Sequence, residues 1–204
     1  MILPFKLIWV THSERYPAVD ILKFYRKLLD AGLGAAILRE KSLPQGELYR
    51  LAQEMSCATK SNQTRFAISD RADICWMLKL SWLHLPANSA PVEEVRRLVT
   101  DKVLISKSVH SLDEALAVEE AGCNMLIVGS IFPTQSHTVE PLGLDALQKI
   151  CKKSQIPVFA IGGITTKNVK QVHDVGAAGT AVVGALYEAK KLGDTISELS
   201  DPWS

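Results

Sequence analysis

The stretch GSIFPTQSHTVEPLG (129–143) concentrates polar groups that could hold an anion or move a proton. Thr134 and Ser136 offer hydroxyl groups, and His137 offers an imidazole, the side chain best suited to proton transfer at neutral pH. The stretch follows the apolar run MLIV (125–128), so it is predicted to be a loop at the end of a strand. The hydroxyl groups favour an anion there, while His137 is either a proton carrier or an idle surface residue.

Charged side chains follow two earlier apolar runs. Arg39 and Lys41 alternate along an extended chain, so both side chains can face the same way. Asp70 ends the next apolar run. Two cations near a carboxylate predict a site for a polyanion, with or without a metal ion; the alternative is a solvated charge cluster containing a salt bridge.

Glycines mark the last two apolar runs. Gly162 and Gly163 end one run, and Val183 and Gly184 lie near the end of the other. Glycine lets backbone N–H groups approach an anion closely, and helix N-termini add positive potential. If the runs form a barrel, this position favours a bound phosphate group.

Eight short apolar runs alternate with longer segments of helical spacing along the chain. They are rich in Val, Ile and Leu, as in parallel strands covered on both faces. The predicted strands are KLIWVT (6–11), AAILRE (35–40), RFAISD (65–70), WLHLP (82–86), KVLISK (102–107), MLIVGS (125–130), PVFAIGG (157–163) and TAVVGA (180–185). Eight units of about 25 residues with right-handed crossovers favour an α/β fold, a single-domain (β/α)8 TIM barrel over residues 1–204. An open doubly wound sheet is the alternative.

Helix signals separate the predicted strands. In SLDEALAVEEAG (111–122), Ser111 is a candidate N-cap and Glu114 takes the capping-box position three residues later. The segment VDILKFYRKLLDAG (19–32) has apolar residues at helical spacing. ADICWMLKLS (72–81) is the least regular of the helical segments, because it is apolar nearly all round.

Composition and charge exclude several classes of protein. The chain of 204 residues has 47% hydrophobic and 22% charged residues and a net charge of +1. This balance predicts a globular domain without a nucleic-acid or membrane partner, and no apolar run approaches the roughly 18 residues of a membrane span. Four scattered cysteines form no metal-binding pattern and are predicted to be buried, reduced thiols of a cytoplasmic protein. A homo-oligomer is left open.

Five motifs together resemble those of one protein family. They are ILREK (37–41), SDRAD (69–73), SKSVHSLDEALAVEEAG (106–122), GSIFPTQSHTVEPLG (129–143) and IPVFAIGGITTKNV (156–169). The combination resembles the thiamine phosphate synthase/TenI superfamily from the first strand to the last. It implies a small TIM barrel that binds the thiazole phosphate of thiamine biosynthesis.

That superfamily implies two activities. The synthase joins hydroxymethylpyrimidine diphosphate to thiazole phosphate and releases pyrophosphate, with Mg²⁺ as cofactor. The TenI-type tautomerase isomerises a thiazole phosphate carboxylate by moving a proton, without a cofactor. A barrel that only binds or senses the ligand is a third possibility.

The resemblance implies roles for individual residues. Arg39 and Lys41 match the basic pair of the synthase, Asp70 matches one magnesium ligand, and Ser108 matches a serine that contacts the pyrimidine. The residues expected around the thiazole phosphate are Thr134, Ser136, Gly162, Gly163, Val183 and Gly184.

Departures from the synthase pattern favour the TenI-type function. Ile37 and Ser69 replace a glutamine and an asparagine, Ser89 replaces the second magnesium aspartate, and His137 replaces a lysine that reaches the diphosphate. The tautomerase, however, carries a histidine where this chain has Ser130. We therefore expect a TenI-type protein whose candidate catalytic residues are His137, Arg39, Lys41 and Ser130. A synthase that holds Mg²⁺ at Asp70 is the alternative.

Overall fold

The structure, a computed structural model, describes residues 3–59, 64–134 and 140–203. Eight parallel strands pair in chain order, and the last strand pairs with the first to close a barrel. The strands are β1 Leu7–Val10, β2 Ala35–Leu38, β3 Arg65–Ser69, β4 Trp82–Leu85, β5 Leu104–Val109, β6 Met125–Gly129, β7 Val158–Ile161 and β8 Gly179–Val182. The predicted TIM barrel is confirmed, and closure excludes the open sheet.

Helices follow the strands and surround the barrel. The described residues contain α1 Ile21–Asp30, α2 Gln45–Thr59, α3 Ala72–Met77, α4 Val92–Leu98, α5 Leu112–Glu120, α6 Gly143–Lys153, α7 Val169–Asp174, α8 Gly184–Tyr187, α9 Leu192–Ser200 and a 3₁₀ turn, Asp201–Trp203. The irregular segment 72–81 forms only the six residues of α3.

The fifth strand begins two residues later than predicted. A turn closes before it, in which Val103 N–H donates to the carbonyl of Thr100 at 2.9 Å. Pairing with β4 then begins at Leu104, opposite Trp82. Ser108 consequently lies within β5, one residue beyond the end of the predicted strand.

The interior of the barrel changes in size from one end to the other. Alternation along the strands sends one set of side chains inward and the other toward the helices. Near the N-terminal ends of the strands, the Phe5 ring stacks on Trp82 at 5.4 Å and lies 5.6 Å from Phe159. Toward the C-terminal ends the residues that line the interior are smaller than these rings, among them Gly129, Ala181 and Ile161. The large rings therefore fill one end of the barrel, and a cavity is left at the other.

The start of α5 forms as the sequence predicts. Ser111 Oγ accepts a hydrogen bond from Glu114 N–H at 3.1 Å. The Glu114 carboxylate reaches back to His110 N–H at 2.7 Å, one residue earlier than in the reciprocal capping box. These two bonds hold the connection between β5 and α5, which begins at His110, two residues after Ser108.

The cysteine prediction is partly wrong. All four thiols are free; Cys75 and Cys123 are buried, and Cys151 is only partly buried. Cys57 is exposed because α2 buries Leu48, Ala52 and Met55 instead. No helix in residues 3–59, 64–134 or 140–203 is both long and apolar enough to cross a membrane.

The N-cap gives a direct test of this local structure. Ser111→Ala should lower the free energy of unfolding by about 1 kcal/mol, because the amide at the first turn of α5 loses its acceptor. Ser111→Asp keeps an acceptor and should cost much less. Urea denaturation of the two variants measures the difference, and equal losses would contradict a capping role.

Candidate functional site

A cavity of about 740 Å³ opens at the C-terminal ends of the strands. TIM-barrel enzymes hold their substrates at this face, and the volume lies in the usual range for small-molecule sites. Its wall comes from the loops after β1, β2, β4, β5, β6, β7 and β8. Most of the βα loops of the barrel therefore border one cavity.

Most of the predicted site residues meet in this cavity. Those that line it are Arg39, Lys41, Ser108, Ser130, Thr134, Gly162, Gly163, Val183 and Gly184. Asp70 is exposed and does not line it. Ser136 and His137 lie outside the described residues, so their placement stays a prediction.

Two cations stand at the β2 side of the cavity. Ile37 faces the barrel interior, and Arg39 and Lys41 follow it at alternate positions on the same side of the extended chain. The backbone of Arg39 is fixed by a 2.9 Å bond from its N–H to Thr11 Oγ1. Neither side chain forms an ion pair with a carboxylate in the part of the chain that the structure describes. Their charge is therefore available to an anionic ligand.

The loop after β1 is held by buried and aromatic groups that sequence reasoning missed. Glu40, only 6% exposed, accepts hydrogen bonds from Ser13 N–H at 3.0 Å and from Ser13 Oγ. Tyr16 Oη donates to Glu188 at 2.6 Å, and Arg15 lies 3.8 Å from the same carboxylate. Burial, and then the bond to Glu188, raise the pKa of Tyr16 to about 12. The loop after β1 is thus bonded on one side to Glu40, after β2, and on the other to Glu188, after α8.

Gly162 and Gly163 let the loops after β6 and β7 approach each other. Both have positive φ, 101° and 65°. A Cβ at Gly163 would lie 2.6 Å from the Pro133 carbonyl oxygen and 2.7 Å from Phe132 Cβ. Phe132 N–H donates to the Gly162 carbonyl at 3.1 Å, and Asn168 Nδ2 donates to the Gly163 carbonyl at 2.9 Å. A side chain at Gly163 cannot be added without moving this wall of the cavity.

His84 lies in the cavity floor, and the sequence analysis did not identify it as a site residue. It is 5% exposed and lines the cavity. Its Nδ1 lies 3.0 Å from Ser106 Oγ and its Nε2 lies 3.1 Å from Ser108 Oγ. Burial, and then the charges of Arg39 and Lys107, lower the pKa of His84 to about 3, so the ring is neutral. The sequence did contain a signal for this cluster: His84 on one strand, and Ser106 and Ser108 at alternate positions of the next.

Lys107 anchors the loop after β4. Its Nζ donates to the carbonyl oxygens of Pro86 and Ala87 at 2.9 and 3.2 Å and to Ser89 Oγ at 2.6 Å. Burial lowers the pKa of Lys107, and the negative charge of Asp70 opposes that shift. This lysine was also missed, because only the pairing of β4 with β5 brings it to the loop.

The residues around Lys107 also show whether the chain could hold Mg²⁺. Asp70 offers one exposed carboxylate, but Ser89 Oγ already receives the Lys107 ammonium. Among the described residues there is no group of three or more His, Cys, Asp or Glu side chains that could hold a metal ion. Magnesium is often bound by one or two carboxylates together with substrate phosphates. Asp70 therefore fits Mg²⁺ only in combination with a bound phosphate ligand.

Comparison with known proteins gives consistent matches. The family model described as thiamine monophosphate synthase matches residues 7–186. A putative thiamine-phosphate synthase 2 of Aquifex aeolicus is 35% identical over 184 residues, which cover 90% of this chain and 98% of that protein. The thiamine-phosphate synthase of Pyrococcus furiosus is 32% identical over 195 residues, covering 95% and 92%.

A solved structure gives the same result. The thiamine phosphate pyrophosphorylase from Pyrococcus furiosus superposes with a TM-score of 0.86 at 30% identity. The superposition covers 96% of this chain and 93% of that one. The similarity thus extends over nearly the whole barrel.

The buried neutral ring of His84 predicts a pH-dependent stability. Its pKa is lowered from 6.5 to about 3 in the folded protein, so between these values the unfolded chain binds a proton that the folded protein does not. The free energy of unfolding should therefore fall as the pH drops below 6.5, by on the order of 1 kcal/mol per pH unit from this residue.

His84→Gln should remove this component, whereas His173→Gln on the outer helix α7 should retain it. Urea denaturation at several pH values from about 7 to about 5 measures the slope. The same slope in wild type and His84→Gln would show that the imidazole is not held neutral.

Proposed function

The chain belongs to the thiamine monophosphate synthase family, and we propose that it forms thiamine phosphate from hydroxymethylpyrimidine diphosphate and thiazole phosphate. One observation carries the proposal: two separate parts of the cavity suit anions. Arg39 and Lys41 stand at β2, and the glycine-lined loops around Gly163 and Gly184 stand at β7 and β8. A synthase must hold a diphosphate and a monophosphate at once, and its relatives named above support this activity.

The proposed reaction asks mainly for positioning and charge stabilisation. The bond between the pyrimidine methylene carbon and the diphosphate oxygen breaks, and pyrophosphate leaves with the bonding electrons. The thiazole nitrogen then forms the new bond to the methylene carbon. Arg39 and Lys41 would stabilise the charge on the departing diphosphate. The reaction needs no basic side chain at position 130, so it is compatible with the serine found there.

Mg²⁺, when bound, would supply further neutralisation of the diphosphate as a Lewis acid. Asp70 would be its protein ligand, with the remaining ligands from the substrate and water. Ser89 would take no part, because its hydroxyl group receives the ammonium of Lys107.

The TenI-type tautomerase is the second candidate, and the sequence departures favoured it. The contact between Lys107 and Ser89 supports it, because this contact leaves Asp70 as a single carboxylate at the proposed metal position. The activity would depend on His137, which lies outside the described residues. The comparisons give this candidate no specific support, since the relatives are named as synthases.

Product formation by the purified protein tests the proposal. The protein is given hydroxymethylpyrimidine diphosphate and thiazole phosphate, with Mg²⁺ and then with EDTA, and thiamine phosphate is measured. We expect magnesium-dependent product. No product from a protein that still binds thiazole phosphate would reject the synthase. Proton exchange into the thiazole phosphate carboxylate would then separate a tautomerase from a non-catalytic binder.

Arg39→Ala should lower kcat/KM for the diphosphate substrate about 100-fold, because a cation aimed at the leaving group is lost. Arg97→Ala is the matched control, since that arginine lies on α4 and pairs with Glu94 at 2.7 Å on the surface. Steady-state kinetics at saturating thiazole phosphate compares them. An Arg39→Ala enzyme as active as the Arg97→Ala enzyme would remove Arg39 from the site.

Gly163→Ala should weaken thiazole phosphate binding at least tenfold, because the added Cβ displaces the loop that carries Thr134. Gly32→Ala is the control: its φ of +89° is also unfavourable for alanine, but no atom lies within 4 Å of the new Cβ. Gly32→Ala should lose about 1 kcal/mol of unfolding free energy from its unfavourable φ alone, and Gly163→Ala should lose more because the loop must also move. Calorimetric titration should show lost affinity in Gly163→Ala alone; equal affinities would contradict the placement of the phosphate.

A further inference from the structure

Four polar side chains form a continuous line under the cavity. Trp82 Nε1 donates to Ser106 Oγ at 2.9 Å. Ser106 Oγ lies 3.0 Å from His84 Nδ1, and His84 Nε2 lies 3.1 Å from Ser108 Oγ. Trp82 and Ser106 are buried, at 2% and 0% exposure, whereas Ser108 lines the cavity. The line therefore runs from the closed end of the barrel to the open end.

The indole fixes the direction of this line. A tryptophan N–H can only donate, so Ser106 Oγ is an acceptor toward Trp82. The Ser106 hydroxyl proton then needs its own acceptor, and His84 Nδ1 is the one within hydrogen-bond distance among the described residues. A proton on Nδ1 would leave that hydroxyl proton buried without a partner, which is unfavourable. Nδ1 therefore accepts.

The remaining ring nitrogen then carries the proton. A neutral imidazole has one N–H group, and burial keeps this ring neutral. With Nδ1 as acceptor, Nε2–H donates to Ser108 Oγ. The proton of the Ser108 hydroxyl group is not used within the line, so it is available to donate to a further acceptor.

We propose that Trp82, Ser106 and His84 are positioning residues that make Ser108 a hydrogen-bond donor to an acceptor atom of the ligand. The acceptor is a phosphate oxygen or an unprotonated ring nitrogen. A ligand that presents an N–H group at this point could use only the remaining lone pair of Ser108 Oγ, and the Ser108 proton would have no acceptor on the ligand. The direction of the hydrogen bond from Ser108 does not depend on the proposed function. The choice of pyrophosphate and hydroxymethylpyrimidine as probes rests on it.

The tautomer of His84 is the first test. Long-range ¹H–¹⁵N correlation spectra of the ¹⁵N-labelled, ligand-free protein distinguish a protonated from an unprotonated ring nitrogen. We expect a protonated Nε2 and an unprotonated Nδ1. A protonated Nδ1, or an imidazolium, would overturn the proposal. Because no substrate is added, this result stands whether or not thiamine phosphate is formed.

The second test asks whether His84 acts through Ser108. Inorganic pyrophosphate and unphosphorylated hydroxymethylpyrimidine are titrated separately by calorimetry into wild type and variants. Ser108→Ala should weaken one probe about tenfold, as expected for one lost hydrogen bond. Loss with pyrophosphate identifies a phosphate oxygen as the acceptor, and loss with the pyrimidine identifies a ring nitrogen. Unchanged affinity for both probes would overturn the proposal.

Two substitutions of His84 separate positioning from packing. His84→Leu removes the donor to Ser108 and should weaken the same probe about as much as Ser108→Ala. His84→Gln restores an N–H donor and should recover most of that affinity. The double variant Ser108→Ala/His84→Leu should bind no more weakly than Ser108→Ala. A His84→Gln protein that folds, by its melting temperature, and yet binds like His84→Leu would contradict the proposal, as would additive losses in the double variant.

Discussion

The site depends on one constraint: the strands close into a barrel whose interior is filled at one end and open at the other. Phe5, Trp82 and Phe159 pack together at the N-terminal ends of the strands and leave no room for a ligand there. At the other end the described residues that line the cavity include no Phe, Tyr or Trp, and Gly129 and Ala181 stand beside aliphatic residues such as Ile161, so the centre stays open. The loops therefore surround a space that the strands have already defined. Anion-binding groups need only be placed at strand ends to face one another.

The two-residue period of the strands decides which polar groups reach that space. On β5, Ser106 and Ser108 face the interior, and Lys107 between them turns to the loop after β4. On β2, the inward position of Ile37 places Arg39 and Lys41 at the cavity. A shift of one residue in either strand would exchange these roles. The chemistry of the site thus depends on register as much as on residue type.

Features that are local in the sequence could be predicted, whereas features that depend on the register of strand pairing could not. Strand ends and glycines are local signals, and they were enough to find the barrel and most of the cavity wall. The line through His84 is not local, because it needs His84 to pair directly with Ser106 across β4 and β5. The predicted end of β5 at Lys107 also separated Ser108 from its strand. Lys107 and Glu40 were missed for the same reason: their partners are distant in sequence.

The cations of the site act on the protein as well as on a ligand. Arg39 and Lys107 add to burial in lowering the pKa of His84, so Arg39, whose charge suits an anionic substrate, also helps to keep the imidazole neutral. A neutral imidazole between two serines can relay the direction of a hydrogen bond, which an imidazolium, a donor on both sides, cannot do. An anion bound at Arg39 would weaken one of these cationic influences, but burial is the largest cause and remains. His84 is therefore expected to stay neutral with the ligand bound, and the donor role of Ser108 is preserved when it is needed.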